Sequence, residues 1–247
     1  MATPLAGGPP VAVKMFRRGT AVACRREFAI ASAVDVTRTA APITHGVTAT
    51  GSYLATAYLQ GYQSGAGLMG ETMSVASLLR FGGELAGTLA SIHDSGVVHG
   101  DVKPANLLIG GDDVRAIDFG ISQYVGERPA GDGCVRCSRG WAAPEQLRGE
   151  PLAPSADVFA WGSLIAYLAT GVHPFAARHD AEWIRRVGSG RPNLAGLHRA
   201  VGATVRAALA HDPRDRPSAH ELAAICRSAT RWMPPFRPPA DPAIRRG

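Results

Sequence analysis

Residues 99–120 have the sequence HGDVKPANLLIGGDDVRAIDFG, and they are the most informative part of the chain for its fold. It contains two short apolar runs, NLLI and VRAI, which are separated by the turn-like sequence GGDD. Apolar runs of this length, joined by a glycine-rich turn, predict a β-hairpin. Because Asp101 precedes the first run and Asp118 follows the second, the hairpin should bring these two carboxylates to one edge.

Two further polar residues should share that edge: Lys103, two positions after Asp101, and Asn106, which begins the first run. A carboxylate and an amide oxygen can bind Mg²⁺ when phosphates and water complete its coordination. A second carboxylate can orient a hydroxyl group and accept its proton, and a nearby ammonium can neutralise a phosphoryl group. These groups together are what phosphoryl transfer from a nucleotide to an alcohol requires.

The remaining sequence divides into a strand-rich part and a longer helical part. Strands are predicted at 11–16 and, as two runs, within 43–61, and a helix is predicted at 25–34. Apolar residues at helical spacing predict another helix over about 72–93, and the chain beyond residue 150 is predicted to be mainly helical. We therefore expect an α+β fold with a small strand-rich lobe and a larger helical lobe.

Several motifs resemble those of eukaryotic-type serine/threonine protein kinases, including the bacterial ones. Residues 99–106 stand where that family has H-R-D-L-K-P-x-N, residues 118–120 are D-F-G, and residues 143–145 are A-P-E. Residues 11–14, VAVK, resemble the lysine-bearing third strand of the family, and Glu27 stands where its helical glutamate would fall. Because these motifs follow one another in family order, the resemblance is specific.

The resemblance implies a two-lobed protein-kinase-like fold and a division of the chain. The predicted parts are a residual N-lobe (1–57), a hinge (58–61), a helical C-lobe (62–229) and a Pro-rich tail (230–247).

The resemblance also implies roles for individual residues. Asp101, Lys103 and Asn106 would be catalytic, and Asn106 and Asp118 would bind Mg²⁺. The residues implied to contact ATP are Lys14, Glu27, Ala12, Ala57, Leu59 and Leu108. The substrate would be a serine or threonine hydroxyl of a protein.

Further positions are implied to be structural or to support the site. Ser138 would contact Asp101 and Lys103, and Asp157 would accept hydrogen bonds from the backbone of the catalytic loop. His99 would pack under Phe119, and Glu145 would form a buried ion pair with Arg216.

The sequence departs from the family pattern in two places. Only 13 residues precede Lys14, too few for the family's glycine-rich phosphate loop, so we interpret the chain as lacking that loop. Either the sequence starts late or the protein functions without this lid, and a weakly active binding or scaffold protein of the same fold is the alternative. Gly100 replaces the arginine of H-R-D, and we therefore expect activity without phosphorylation of the activation loop.

Composition argues against several other classes of protein. The net charge of +6 comes from dispersed basic residues, which does not indicate nucleic-acid binding. No run approaches the roughly 18 apolar residues of a membrane span, and the N-terminus does not resemble a signal peptide, so a cytoplasmic protein is expected. The lone C-x-x-C at 134–137 has no neighbouring pair that would complete a zinc site.

The glycines suggest one alternative function, and they lower the expected stability of one predicted helix. Residues 65–70 spell G-x-G-x-x-G, which would suggest dinucleotide binding by an oxidoreductase, but five residues separate them from the preceding strand-like run. Gly82, Gly83 and Gly87 fall inside the predicted 72–93 helix, and each should weaken it by up to about 1 kcal/mol relative to alanine.

Overall fold

The computed structural model describes residues 8–127 and 138–231. A small lobe built on strands precedes a larger helical lobe, which confirms the predicted α+β class. The strands are β1 (Val11–Phe16), β2 (Pro42–Thr48), β3 (Gly51–Ala57), β4 (Gln63–Ser64), β5 (Val97–Val98), β6 (Leu107–Gly110), β7 (Asp113–Ala116) and β8 (Gln123–Tyr124). The helices are α1 (Ala21–Ala33), α2 (Val75–Asp94), α3 (Pro144–Leu147), α4 (Pro154–Thr170), α5 (Asp180–Gly188), α6 (Arg199–Ala208) and α7 (Ala219–Thr230).

The small lobe is an antiparallel sheet with the strand order β1-β3-β2, covered on one face by α1. Lys14 of β1 lies opposite Leu54 of β3, so both side chains are on the face that meets α1. On the same face, the Phe28 ring of α1 contacts His45 of β2 at 4.6 Å between centroids. Among the described residues, β1 has no strand partner on its outer edge.

The larger lobe is organised around α2 and α4. Nearly every side chain of α4 is buried, because this helix is apolar around its whole circumference. At the crossing of the two helices, Trp161 Nε1 donates a hydrogen bond of 2.8 Å to the carbonyl oxygen of Gly82. A Cβ atom added to Gly82 would lie 3.1 Å from the Trp161 ring, so this glycine permits the close approach.

The hairpin predicted from the 99–120 stretch is present. Strands β6 and β7 pair antiparallel with Leu107 opposite Ala116, and the turn contains Gly111 with a φ of +62°. The second strand ends at Ala116, within the predicted VRAI run, and Asp118 follows it two residues later. One more backbone bond follows, from the Ile117 amide to the carbonyl of Asn106 (2.9 Å), before the chain turns at Asp118.

Other sequence-based predictions need correction. Helix α1 begins at Ala21, four residues before the predicted start, although no side chain caps its N-terminus. Residues 65–68 form one 3₁₀ turn, preceded by the two-residue strand β4, and all named strand pairs are antiparallel. The glycines therefore do not form the strand-to-helix turn of a dinucleotide-binding unit.

Within the described ranges, none of the helices has both the length and the apolar character needed to cross a membrane. Cys24 and Cys226 are buried free thiols. The predicted C-x-x-C pair at 134–137 and the tail from residue 232 onward lie outside the described residues.

Candidate active site

The loop between β5 and β6 brings three of the predicted site residues into direct contact. Lys103 Nζ lies 2.8 Å from Asp101 Oδ2, and the Asn106 amide nitrogen donates to the same oxygen at 2.8 Å. Lys103 also donates to Ser138 Oγ at 2.6 Å. The other carboxylate oxygen of Asp101, Oδ1, is buried and has no hydrogen-bond partner among the described residues. An unpaired buried acceptor is unfavourable unless another donor is present, so Oδ1 is a candidate acceptor for a substrate hydroxyl.

Asp157, near the start of α4, fixes the backbone of this loop. Its carboxylate accepts hydrogen bonds of 2.8 Å from the amides of His99 and Gly100, and one of 2.9 Å from His93 Nε2. Burial acts to raise the pKa of Asp157, but the hydrogen bond from His93 and these amide contacts outweigh it, and the pKa lies below its usual value. The carboxylate is therefore ionised while buried, as we expected of an acid that supports the loop.

A second cluster of charged residues joins the two lobes. Lys14 Nζ lies 2.8 Å from both carboxylate oxygens of Glu27 and 2.7 Å from Asp118 Oδ1. Asp118 has a φ of +67°, which is uncommon outside glycine, and the amide of Gly120 donates to its Oδ1 at 3.3 Å. This backbone conformation directs the carboxylate towards Lys14 of the small lobe.

The electrostatics of this cluster keep Lys14 and Asp118 charged. Burial lowers the pKa of Lys14, but its hydrogen bonds to Asp118 and Glu27 outweigh burial, so the pKa lies above the usual value. Burial likewise acts to raise the pKa of Asp118, yet the Lys14 ammonium holds it below its ordinary range. For Glu27 burial dominates and raises the pKa, and Lys14 offsets only part of that effect.

A cavity of about 330 Å³ lies between the lobes, which is within the usual range for small-molecule sites. All six residues predicted to contact a nucleotide line it, as does Asp118, whereas Asp101, Lys103 and Asn106 are not among its described lining residues. Lining residues that the sequence reasoning did not identify include Thr39, Ala40, Leu54, Tyr62 and Ile117. They lie in segments without periodic motifs or inside strands, where only the folded arrangement shows which side chains face the cleft.

The two clusters meet the β6–β7 hairpin at its open end, where Asn106 precedes β6 and Asp118 follows β7, but they do not share a direct side-chain contact. In the part of the chain that the structure describes, no hydrogen bond joins Asp118 to Asp101 or Asn106. The backbone bond from Ile117 to Asn106 connects the segments that carry them. A ligand that bridges the clusters would therefore have to occupy the space between them.

The other predicted structural contacts are confirmed, whereas Ser138 bonds to Lys103 and makes no hydrogen bond to Asp101 among the described residues. His99 and Phe119 have ring centroids 5.0 Å apart, and Glu145 and Arg216 form a buried ion pair with an Nη2–Oε2 distance of 2.9 Å. Arg216 also donates to three backbone carbonyl oxygens and lies over the Phe159 ring, so its charge is well compensated.

Comparison with known proteins agrees with this geometry. Residues 8–225 match the protein kinase domain family. The probable serine/threonine-protein kinase PkwA of Thermomonospora curvata is 32% identical over 240 residues, which cover 93% of this chain and 32% of PkwA. The serine/threonine-protein kinase PknJ of Mycobacterium tuberculosis is 34% identical over 215 residues, which cover 79% of this chain and 36% of PknJ.

A third relative is the serine/threonine-protein kinase AfsK of Streptomyces coelicolor. It is 30% identical over 229 residues, which cover 89% of this chain and 28% of AfsK. The chain thus spans about a third of the length of these relatives. With the two-lobed fold, the paired Lys14 and Glu27 and the family match over most of its length, the chain belongs to the protein kinase family.

Proposed function

We propose that this chain transfers the γ-phosphoryl group of ATP to a serine or threonine hydroxyl of a protein. The observation that supports this most strongly is Asp101, whose Oδ2 accepts hydrogen bonds from Lys103 and Asn106 while its buried Oδ1 has no partner among the described residues. An oriented carboxylate with one open acceptor atom suits a group that receives a proton from an incoming hydroxyl.

Asp101 and Lys103 divide the work at the acceptor side. As the acceptor oxygen bonds to the γ-phosphorus and the bond from that phosphorus to ADP breaks, the hydroxyl proton passes to Asp101 Oδ1. Lys103, which contacts both Asp101 and Ser138, places a positive charge beside the transferred group. The hydrogen bond of 2.6 Å to Ser138 Oγ helps to fix the Lys103 ammonium.

The small lobe and the cavity bind the nucleotide. Lys14 would pair with the nucleotide phosphates, and Glu27, which lies 2.8 Å from the Lys14 ammonium, would orient it. Ala12 and Leu108 would contact the adenine, and the backbone between Ala57 and Leu59 would form hydrogen bonds with its edge. All of these residues line the 330 Å³ cavity.

The side chains of Asn106 and Asp118 suit Mg²⁺, because a carboxylate and an amide oxygen are its preferred protein ligands. The Asn106 nitrogen donates to Asp101, which leaves its amide oxygen for the metal. Among the described residues, no group of three or more His, Cys, Asp or Glu could enclose a metal. The ion would therefore bind together with the nucleotide phosphates, whose negative charge it would neutralise during transfer.

The test is transfer of radiolabelled γ-phosphate from ATP to dephosphorylated casein and to the chain itself, followed by phosphoamino-acid analysis. We expect phosphoserine or phosphothreonine, and loss of the label in Asp101→Asn. Asp94→Asn, which changes an exposed carboxylate paired with His220, is the matched control and should keep full activity. Nucleotide binding without any transfer that depends on Asp101 would instead identify a binding or scaffold protein of the same fold.

A further inference from the structure

Helix α1 is connected to the segment that follows Asp118 by one ion pair. The guanidinium of Arg26 contacts both carboxylate oxygens of Glu127, with distances of 2.8 Å (Nη1–Oε1) and 2.7 Å (Nη2–Oε2). Arg26 also donates to the carbonyl oxygen of Ser122 at 3.4 Å. The two partners are 101 residues apart in the sequence, so this contact forms only when α1 lies against the 122–127 segment.

The carboxylate that Arg26 contacts is itself fixed. Glu127 Oε2 accepts a hydrogen bond of 3.1 Å from the amide of Tyr124, and the Glu127 amide donates to the Tyr124 carbonyl at 3.0 Å. Tyr124 belongs to β8, which pairs with β5 through Val97. Since β5 leads directly into the catalytic loop, the ion pair connects α1 to the backbone that carries Asp101.

A second bond strengthens this connection. Ser122 Oγ donates to the carbonyl oxygen of His99 at 2.7 Å, and both residues are buried. The Arg26 guanidinium therefore reaches a segment that is joined to the catalytic loop at two points, Val97 and His99.

The N-terminus of α1 has no capping side chain, although the buried Cys24 of its first turn donates to the carbonyl oxygen of Tyr53 at 3.2 Å. Thr20 makes no side-chain cap bond, and the first turn of α1 has no acidic residue. Arg26 precedes Glu27, the residue that pairs with Lys14 in the cleft. A shift of α1 away from the large lobe would move the Glu27 carboxylate and release the Lys14 ammonium.

Surface ion pairs contribute little on average, and both side chains here are partly exposed, at 42% for Arg26 and 30% for Glu127. Two-bond arginine–carboxylate geometry with a pre-oriented carboxylate is the case in which such a pair has a defined effect. The hydrogen bonds from Arg26 hold the pKa of Glu127 below its usual value, so the carboxylate stays charged near neutral pH.

We propose that Arg26 and Glu127 are positioning residues for phosphoryl transfer, which together keep α1 in the place where Glu27 orients Lys14. This inference rests on the proposed function. The carboxylate of Glu127 is a permanent negative charge of the sequence, so this connection requires no added phosphate.

The test compares Glu127→Gln and Arg26→Met with Arg25→Met, using steady-state kinetics with ATP. Arg25 is an exposed neighbour on α1 without a hydrogen bond or ion pair among the described residues, so its variant loses the same charge without losing the contact. We expect kcat/KM for ATP to fall about tenfold in Glu127→Gln and Arg26→Met. Arg25→Met should stay within about twofold of wild type.

Two further measurements separate positioning from a general loss of stability. The double variant R26E/E127R should recover most of the lost kcat/KM, because it restores the pair with reversed charges. Hydrogen–deuterium exchange should rise in residues 21–33 of Glu127→Gln and stay unchanged in residues 75–94. Wild-type kinetics in Glu127→Gln, equal losses in Arg25→Met, or unchanged exchange in α1 would each overturn the proposal.

The exchange measurement does not depend on activity. If the wild-type chain transferred no phosphate, the proposed function would fail. The exchange data would still decide whether the pair holds α1 in place.

Discussion

The Asp101–Lys103–Asn106 cluster and the Lys14–Glu27–Asp118 cluster differ in what fixes them. The first cluster forms between residues two and five positions apart, on a loop whose flanking strand β5 is completely buried. The second joins residues 13 and 104 positions apart. The side chains of Lys14 and Asp118 are about 40% exposed.

The two clusters therefore depend on different parts of the fold. The large helical lobe preorganises the acceptor side, because Asp157 and the ion pair of Glu145 with Arg216 fix it from within the core. The Lys14–Glu27–Asp118 cluster exists only while α1, the three-stranded sheet and the Asp118 turn keep their relative positions. Substitutions that move the lobes should therefore affect the nucleotide cluster first.

The largest effect is expected from Asp118→Asn, which weakens the contact between the two lobes and removes the carboxylate that we propose binds Mg²⁺. Phosphate transfer should fall about 10³-fold, and the increase in ATP affinity that Mg²⁺ produces in wild type should disappear. Kinetics and equilibrium binding with and without Mg²⁺ measure both quantities. Unchanged Mg²⁺-dependent binding in Asp118→Asn would show that this carboxylate does not bind the ion.

Breaking the buried ion pair that supports the Asp101–Lys103–Asn106 cluster should instead lower the free energy of unfolding. Arg216→Met leaves the buried Glu145 carboxylate unpaired, and we expect the free energy of unfolding to fall by about 3–5 kcal/mol. Arg214→Met, two residues away, removes an exposed arginine paired with Asp212 and should cost at most about 1 kcal/mol. Chemical denaturation of both variants checks this contrast, and equal losses would contradict it.

The acceptor side should also lose stability in acid, through His173 of the large lobe. Burial lowers the pKa of His173 to about 4, and Nε2 is buried without a partner among the described residues. The unfolded chain takes up a proton near pH 6.5. The stabilising effect of neutral His173 is therefore complete above pH 6.5 and declines as the pH falls to about 4. The full loss is about 3 kcal/mol.

His173→Asn keeps an acceptor near the amide of Phe175 and cannot titrate in this range. Unfolding measured between pH 7 and pH 4.5 should show a flatter stability profile in this variant. His198→Asn is the control, since His198 is exposed and also accepts a backbone amide bond, from Ala200. Equal slopes for wild type and His173→Asn would rule out this source of acid sensitivity.

The smallest effects should come from two glycines of α2. A Cβ atom at Gly87 would meet no other atom within 4 Å, whereas one at Gly83 would lie 3.0 Å from Cys226 Cβ. Gly87→Ala should therefore stabilise the protein by about 0.5–1 kcal/mol through helix propensity. Gly83→Ala should destabilise it, because α7 would have to move. Thermal unfolding of the pair checks the opposite signs, and a loss of stability in both would contradict the open environment of Gly87.

The glycines also show how far the sequence could be interpreted. Helix propensity treats Gly82, Gly83 and Gly87 alike, yet the first two permit close contacts of α2 with Trp161 and Cys226. Which residues face a glycine depends on segments some 80 to 140 positions away, and no local pattern contains that information.

The contacts within the motifs could be predicted, because they join residues that are close in the sequence. The hairpin register followed from two apolar runs and a glycine turn, and the contacts of Lys103 and Asn106 with Asp101 span only a few residues. The role of Arg26 could not be predicted, since its partner Glu127 lies 101 residues away and neither residue belongs to a motif. The start of α1 at Ala21 could not be predicted either, because no capping side chain marks it.

The most direct test of the division between the clusters measures both ATP affinity and kcat in Asp101→Asn and Lys14→Met. Asp101→Asn should lower kcat by about 10²–10⁴-fold and leave the Kd for ATP within about threefold of wild type. Lys14→Met should raise that Kd together with its loss of transfer. If Asp101→Asn lost ATP affinity as strongly as Lys14→Met, or retained wild-type transfer, the account of two separately built clusters would be contradicted.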